Sequence, residues 1–347
     1  MKNLIPRKRS LAGRSTPLAV FAAALVVAVA AAAGLATQAN AAQAVKAKLE
    51  HGGLTIKGTK ASDKITLGLQ TGDPGILELD VGDDGTADFS FERTSVGKIA
   101  VDGRGGDDLI RIDENNGAFT DSIPTTINGG DGNDTIAGGK GIETLVGGTG
   151  NDTIDGNGGN DLARTGTGED TFVWDPGDGS DVVEGQGGAD TMLFNGAGGA
   201  EQVELSANGK RLKFFRTQGN ITMDTAGIER VDFNALGGAD DVTVNDLTGT
   251  DVTSVNVDLA GTIGGATGDG QADRVVVNAT DGNDSINVNG DAGGVEVSGL
   301  AATVEILHPE IANDRLQINS LDRKDAVQSA GLAAGAIQLF VNGVLVP

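Results

Sequence analysis

The chain has 347 residues, 56 of them Gly, with 49 Asp+Glu against 25 Lys+Arg, a net charge of −24 and no Cys. So acidic a chain does not bind nucleic acid by neutralising phosphates, and without Cys it has neither disulfide staples nor thiol chemistry. Aromatics at 3% leave a core to be built from Val, Ile, Leu and Ala, which favours thin all-β structure over a bulky α/β core.

Residues 1–41 read as an export leader. Lys2, Arg7, Lys8, Arg9 and Arg14 give a basic start, Pro17 to Ala36 is an apolar run, and Ala39-Asn40-Ala41 offers a small-x-small cleavage site. A secretory signal peptide of this kind is removed after export. The expected location is therefore extracellular, with no membrane span in the mature form. Cleavage would take the net charge from −24 to −29, because the leader carries five basic residues and no acid.

Residues 42–128 are expected to form an N-terminal β-solenoid or cap region. Inward pairs recur at period two: Ile65/Leu67/Leu69, Leu77/Leu79/Val81, Phe89/Phe91 and Ile99/Val101. GTKASDKIT from Gly58 and GRGGDDLIR from Gly103 each place an acid (Asp63, Asp108) two residues before an apolar strand residue. No stacked partner is evident for either loop, so each reads as a plain turn. Asp80–Gly85 likewise reads as a hairpin turn rather than a metal loop.

From 129 to 193 the chain repeats itself. In nines from Gly129 it reads GGDGNDTIA, GGKGIETLV, GGTGNDTID, GNGGNDLAR and TGTGEDTFV. Trp174-Asp175 then break the register, and PGDGSDVVE and GQGGADTML follow from Pro176 and Gly185. Position 4 is always Gly: Gly132, Gly141, Gly150, Gly159, Gly168, Gly179 and Gly188. Position 6 is always acidic: Asp134, Glu143, Asp152, Asp161, Asp170, Asp181 and Asp190. Position 8 is apolar: Ile136, Leu145, Ile154, Ala163, Phe172, Val183 and Met192. Gly130, Gly139 and Gly148 add a glycine at position 2.

Glycines permit tight turns, so six residues make a loop and three make a short strand with one inward apolar side chain. Nine residues are then half a coil and the loops stack on two sides. Asp134, Asp152 and Asp170 fall on one side, Glu143 and Asp161 on the other. Acids stacked without basic partners repel one another unless a cation lies between them. Calcium takes six to eight oxygens at ~2.3–2.6 Å, which two stacked loops supply from a carboxylate each and from carbonyls freed by the glycine turns. The expected metal-site residues are the position-6 acids with the glycines named above. The Glu143–Asp161 side is expected to bind more weakly, because Glu is longer than Asp.

These units resemble the hemolysin-type, or RTX, calcium-binding nonapeptide repeats. The resemblance implies Ca2+ ligation by the position-6 acids and loop carbonyls. It also implies an all-β fold, a right-handed parallel β-roll or β-helix solenoid. Glu143, Ala163, Asn157, Thr165 and Pro176 depart from the pattern.

Residues 194–347 are expected to be a C-terminal β-rich solenoid region. Pairs such as Val203/Leu205, Leu212/Phe214, Val231/Phe233, Val242/Val244, Val275/Val277 and Leu316/Ile318 mark its strands. Asn208-Gly209 and Asn342-Gly343 signal hairpin insertions. ALGGADDVT from Ala235 and ATDGNDSIN from Ala279 are faint echoes of the repeat. Lys210, Arg211, Lys213 and Arg216 cluster where alternation turns Leu212 and Phe214 inward, so they read as a solvated strand face.

Catalytic motifs are missing. His51 and His308 are the two histidines and lie outside any HExxH, and there is no GxSxG elbow or phosphate-binding glycine loop. The expected function is that of a secreted calcium-binding protein that folds on calcium and has a structural or interaction role outside the cell. A cell-surface or matrix polysaccharide is the candidate macromolecular partner. The alternative is a calcium-dependent, polysaccharide-active β-helix enzyme of lyase or epimerase type.

Overall fold

A three-residue strand with one apolar side chain buries nothing alone; it needs the next coil beneath it. In the computed structural model, which describes residues 44–321 and 324–347, the chain solves this by winding between two long walls. The leader expected over residues 1–41 lies outside the described residues. Among the described residues there is no α-helix, and hence none long and apolar enough to cross a membrane. One wall is a sheet of 15 strands and the other a sheet of 14.

The repeat sets the register. On one wall Thr125–Asp131, Glu143–Thr149 and Leu162–Gly168 pair in parallel, each residue meeting its counterpart two nonads on. On the other wall Thr135–Ala137, Thr153–Asp155 and Thr171–Trp174 do the same. The next step is two positions longer on both walls, where Leu162 meets Val182 and Thr171 meets Thr191. The break at Trp174-Asp175 is therefore absorbed in one turn, and the register continues. Every position-8 side chain lies between the walls at no more than 1% exposure. Ala163, the smallest of these residues, is followed half a coil later by Phe172 on the opposite wall, and both are fully buried.

The flanks continue the same two sheets with longer coils of unequal length. Before the array, Gly53 pairs with Lys98 and Ile99 with Thr125. After it, Thr191 meets Arg230 and Ser254 meets Thr303. The extra residues go into antiparallel hairpins. Lys64–Gln70 pairs with Asp73–Val81, and that strand with Phe89–Glu92. Gln202–Asn208 turns at Asn208-Gly209 into Arg211–Arg216, which pairs with Ile221–Ala226. Ser285–Asp291, Gly294–Ser298 and Thr303–Leu307 form a third set. The Asn342-Gly343 turn closes the last hairpin. This is the expected parallel solenoid with hairpin insertions.

From the two-residue break onward, the core takes up aromatic side chains. Trp174 and Phe194 lie 4.4 Å apart, Phe194 stacks on Phe233 at 5.0 Å, and Phe214 meets Phe194 edge-on at 5.4 Å. Trp174, fully buried, donates from Nε1 to the Gly179 carbonyl at 3.0 Å.

The basic cluster is a solvated face at Lys210 and Lys213, which are exposed, but not at its two arginines. Arg211 bonds Glu184 and Asp224, and Arg216 bonds the buried Glu201 through two nitrogens. Alternation along one strand correctly turned Leu212 and Phe214 inward. The acids come from neighbouring strands, which alternation within a strand does not reveal.

Candidate metal centre

Each position-6 acid ends a glycine loop as the chain enters a wall. On one side Asp134 donates its backbone N–H to Asp152 Oδ1 at 2.8 Å, Asp152 to Asp170 Oδ1 at 2.8 Å, and Asp170 to Asp190 Oδ1 at 2.9 Å. On the other, Glu143 donates to Asp161 Oδ1 at 2.7 Å and Asp161 to Asp181 Oδ1 at 2.8 Å. The later nonads therefore divide, Asp190 extending the first ladder and Asp181 the second. All seven acids are at most 2% exposed.

One oxygen of each acid is satisfied by this ladder or by its own loop. The other is not. Oδ2 of Asp134, Asp152, Asp161, Asp170, Asp181 and Asp190, and Oε1 of Glu143, are buried without a hydrogen-bond partner. Glu143 turns its second oxygen back on its own loop, accepting the Gly139 N–H at 2.8 Å. The first glycine of a loop makes room for the bare oxygen. A Cβ on Gly129 would stand 2.2 Å from Asp134 Oδ2, and one on Gly147 2.4 Å from Asp152 Oδ2. Among the expected glycines, Gly159 shows the second constraint. Its φ is +129°, and a Cβ there would meet the Gly141 carbonyl oxygen at 1.6 Å.

The two ladders end differently. Towards the N-terminus, the Glu143 side is closed by the 114–124 loop. Glu114 Oε2 accepts the Lys140 N–H and Thr120 Oγ1 accepts the Gly141 N–H, so these repeat glycines face a cap and not another repeat. The Asp134 side continues, because Asp108 donates to Asp134 Oδ1 and Asp63 to Asp108 Oδ1. The echoes at Gly58 and Gly103, expected as isolated turns, are both stacked. Their coils are longer than those of the repeat and unequal to each other, which hides the stacking from any alignment in nines.

A third ladder lies beyond the array. Glu201 donates to Asp240 Oδ1, Asp240 to Asp273 Oδ1 and Asp273 to Asp314 Oδ1. Of these, only Asp240 stands in an echo of the nonapeptide. An acid two residues before an inward strand residue is a looser signal that also marks Glu201 before Val203, Asp273 before Val275 and Asp314 before Leu316. Here the end members are better satisfied: Arg216 holds both oxygens of Glu201, and Asp314 Oδ2 accepts the Glu310 N–H, while Asp240 Oδ2 stays buried without a partner.

Burial makes the array carboxyls reluctant to ionise. It pushes Asp161 up to about 8, Asp152 and Asp181 to about 7 and Asp190 to about 6, with neighbouring acids adding to the effect and the ladder N–H opposing it. Asp134, Glu143 and Asp170 are raised from the same chief cause.

The donor set fits a hard divalent cation. Bare, buried carboxylate oxygens lie beside main-chain carbonyls of the next coil held within a Cβ's reach, as at Gly147, where the Thr165 carbonyl lies 2.2 Å from the position a Cβ would take. No three His, Cys, Asp or Glu side chains converge as a metal cluster among the described residues, so the main chain must supply much of any coordination. The family model of the RTX calcium-binding nonapeptide repeat matches in four copies, over residues 126–142, 138–172 and 177–197. This stretch is an RTX repeat array. RTX nonapeptides are calcium-binding motifs, and Ca2+ is the cofactor of the array. No curated protein matches the chain. Among solved structures, an extracellular lipase, LipA from Serratia marcescens, is similar at 12% identity over 61% of this chain, with a TM-score of 0.17. The aligned part is 42% of that lipase chain, and a likeness this slight carries no argument about this chain.

The raised carboxyls give a pH prediction of unusual sign. Without calcium, the folded state keeps protons that the unfolded chain, with ordinary carboxyls near 3.8, has released between about pH 4 and 7. Ion-free stability should therefore rise as pH falls from 8 to 5. With calcium the order reverses, because the ion needs the ionised form. Thermal unfolding at pH 5 and 8, with chelator and with 10 mM calcium as roughly ten times an expected millimolar Kd, checks this. The same pH order in both conditions would refute it.

Proposed function

We propose that this protein is an exported calcium-binding solenoid whose array closes when Ca2+ enters the gaps between stacked loops, and that it has a structural or interaction role outside the cell. The single observation that carries the reading is the row of buried carboxylate oxygens without partners, one on every position-6 acid. Each bare oxygen, with carbonyls of its own loop and the next, forms the proposed ligand set. Three gaps lie on the Asp134 side and two on the Glu143 side, one for each ladder hydrogen bond within the array. The division into a 42–128 flank, a 129–193 array and a 194–347 flank belongs to the same proposal. So do the leader at 1–41 and export.

An extracellular setting suits such sites. Affinities of order 10⁻⁴–10⁻³ M are typical of extracellular calcium modules, so the array would stay open in a low-calcium cytosol and close outside. The lyase or epimerase alternative would use an Arg or Lys base beside substrate, and Arg211 and Arg216 of the basic cluster are each engaged by acids.

Asp152 borders two gaps, so Asp152→Asn tests the scheme. The amide keeps an Oδ1 acceptor for the Asp134 N–H but removes the anionic oxygen. Calorimetric titration should show the variant taking up two fewer calcium ions than the unaltered chain. Equal uptake would remove Asp152 from the ligand set, and no uptake by the unaltered chain would refute the function itself.

A further inference from the structure

The Asp134 ladder does not stop where the repeat pattern stops. One coil earlier, loop 103–108 stacks on loop 129–134, and it lies outside the residues that match the RTX repeat. Asp108 is 3% exposed. Its N–H donates to Asp134 Oδ1 at 2.8 Å, and its own Oδ1 accepts the Asp63 N–H at 2.7 Å. Its Oδ2 is buried without a partner, as is Oδ2 of Asp134 on the loop below.

The space beside that oxygen is built as in the array. A Cβ on Gly103 would stand 2.3 Å from Asp108 Oδ2 and 2.5 Å from the Gly129 carbonyl oxygen. The corresponding point at Gly147 lies 2.4 Å from Asp152 Oδ2 and 2.2 Å from the Thr165 carbonyl oxygen. In both places a bare carboxylate and the next coil's carbonyl converge where a side chain is missing. The backbone follows as well. Arg104 and Gly106 have φ of +83° and +95°, matching Gly130 and Gly132 at +117° and +129° in the loop below. Arg104 takes this left-handed form without being glycine, and its side chain is exposed, away from the buried oxygen.

An end effect does not explain the bare oxygen. At the same end of the array, the opposite side is closed by Glu114, whose Oε1 accepts the N–H groups of Phe119 and Thr120 and whose Oε2 accepts that of Lys140. The fold satisfies its acid there with hydrogen bonds alone. On the Asp108 side it leaves two oxygens open on facing loops.

We propose that a divalent cation of the calcium type binds between loops 103–108 and 129–134, held by Asp108, Asp134 and the Gly129 carbonyl. The ion clamps the N-terminal coil onto the repeat array. This rests on the reading of the array as calcium-binding, and it adds a site that the nine-residue pattern does not encode.

Counting bound calcium by equilibrium dialysis of the chain and its Asp108→Asn variant tests the site. Asn keeps an acceptor for the Asp63 N–H, so the ladder remains while the anionic oxygen is lost. The variant should bind one ion fewer, with the array's ions retained. Hydrogen exchange of the unaltered chain gives a second reading that needs no variant: the 98–113 segment should gain protection on calcium addition together with 125–152. An unchanged ion count in a folded variant, or protection of 98–113 that ignores calcium while the array responds, overturns the site and leaves the array reading intact. If the unaltered chain binds no calcium, both fail together.

Discussion

Chelating calcium at neutral pH is expected to open residues 125–195 while leaving the C-terminal coils folded. The array holds seven carboxyls at most 2% exposed, each with one oxygen that no protein donor meets. At pH 8 and without calcium these groups must ionise unpaired or hold protons against the solvent, and both cost folding free energy. The thin array core, one side chain per half coil, has little burial with which to offset that cost. Hydrogen exchange should accelerate across 125–195 on chelation. Trp174, fully buried and in contact with Phe194, reports the same change by a red shift of its emission. Strands such as Arg274–Asn278 and Arg315–Asn319 should stay protected. Uniform exchange over the whole chain with and without calcium would show that the array needs no ion.

The second large effect is expected at Arg216 and should not depend on calcium. Glu201 heads the third ladder at 1% exposure, and the Arg216 guanidinium meets it with Nε to Oε2 at 2.6 Å and Nη2 to Oε1 at 2.8 Å. The same guanidinium lies 5.9 Å from the Trp174 ring centre and 6.0 Å from that of Phe194, covering the aromatic cluster. Here an arginine supplies, from within the chain, the positive charge that an ion supplies in the array. Arg216→Met leaves a buried carboxylate without its countercharge, which costs about 3–5 kcal/mol. Arg216→Lys should recover part of this, since an ammonium lacks the fork that bonds both oxygens. Denaturant unfolding with calcium and with chelator should give similar losses for Arg216→Met. A loss below about 1 kcal/mol would mean the pair behaves as an exposed one.

The contrast between these sites bears on what could be read in advance. The array was legible because its period is constant. A coil of two nonads brings every acid over the next, and a strict repeat in nines states that geometry outright. Even the two-residue break was readable, and both walls carry it as one lengthened step. The inward strand residues of the flanks were equally plain, since alternation acts within one strand; Val242, Val275 and Leu316 all lie in the core. The pairing of the flanks was not plain. Their coils change length from one turn to the next, so the stacking of Asp108 on Asp134, or of Asp240 on Asp273, has no fixed spacing to announce it.

The sequence by itself determined the calcium repeat, its seven acids and the side on which Asp134, Asp152 and Asp170 stack, because a short period converts directly into coil geometry. Only the tertiary structure decided which acids keep a bare oxygen. Glu114 and Asp314 have theirs met by N–H groups of their own loops and Glu201 by the Arg216 guanidinium across the hairpin, whereas Asp108, Asp240 and the array acids keep a bare oxygen. That difference depends on how each loop closes on its own acid and on which strand lies beside it, and strand register is set by hydrogen bonds between coils of unequal length.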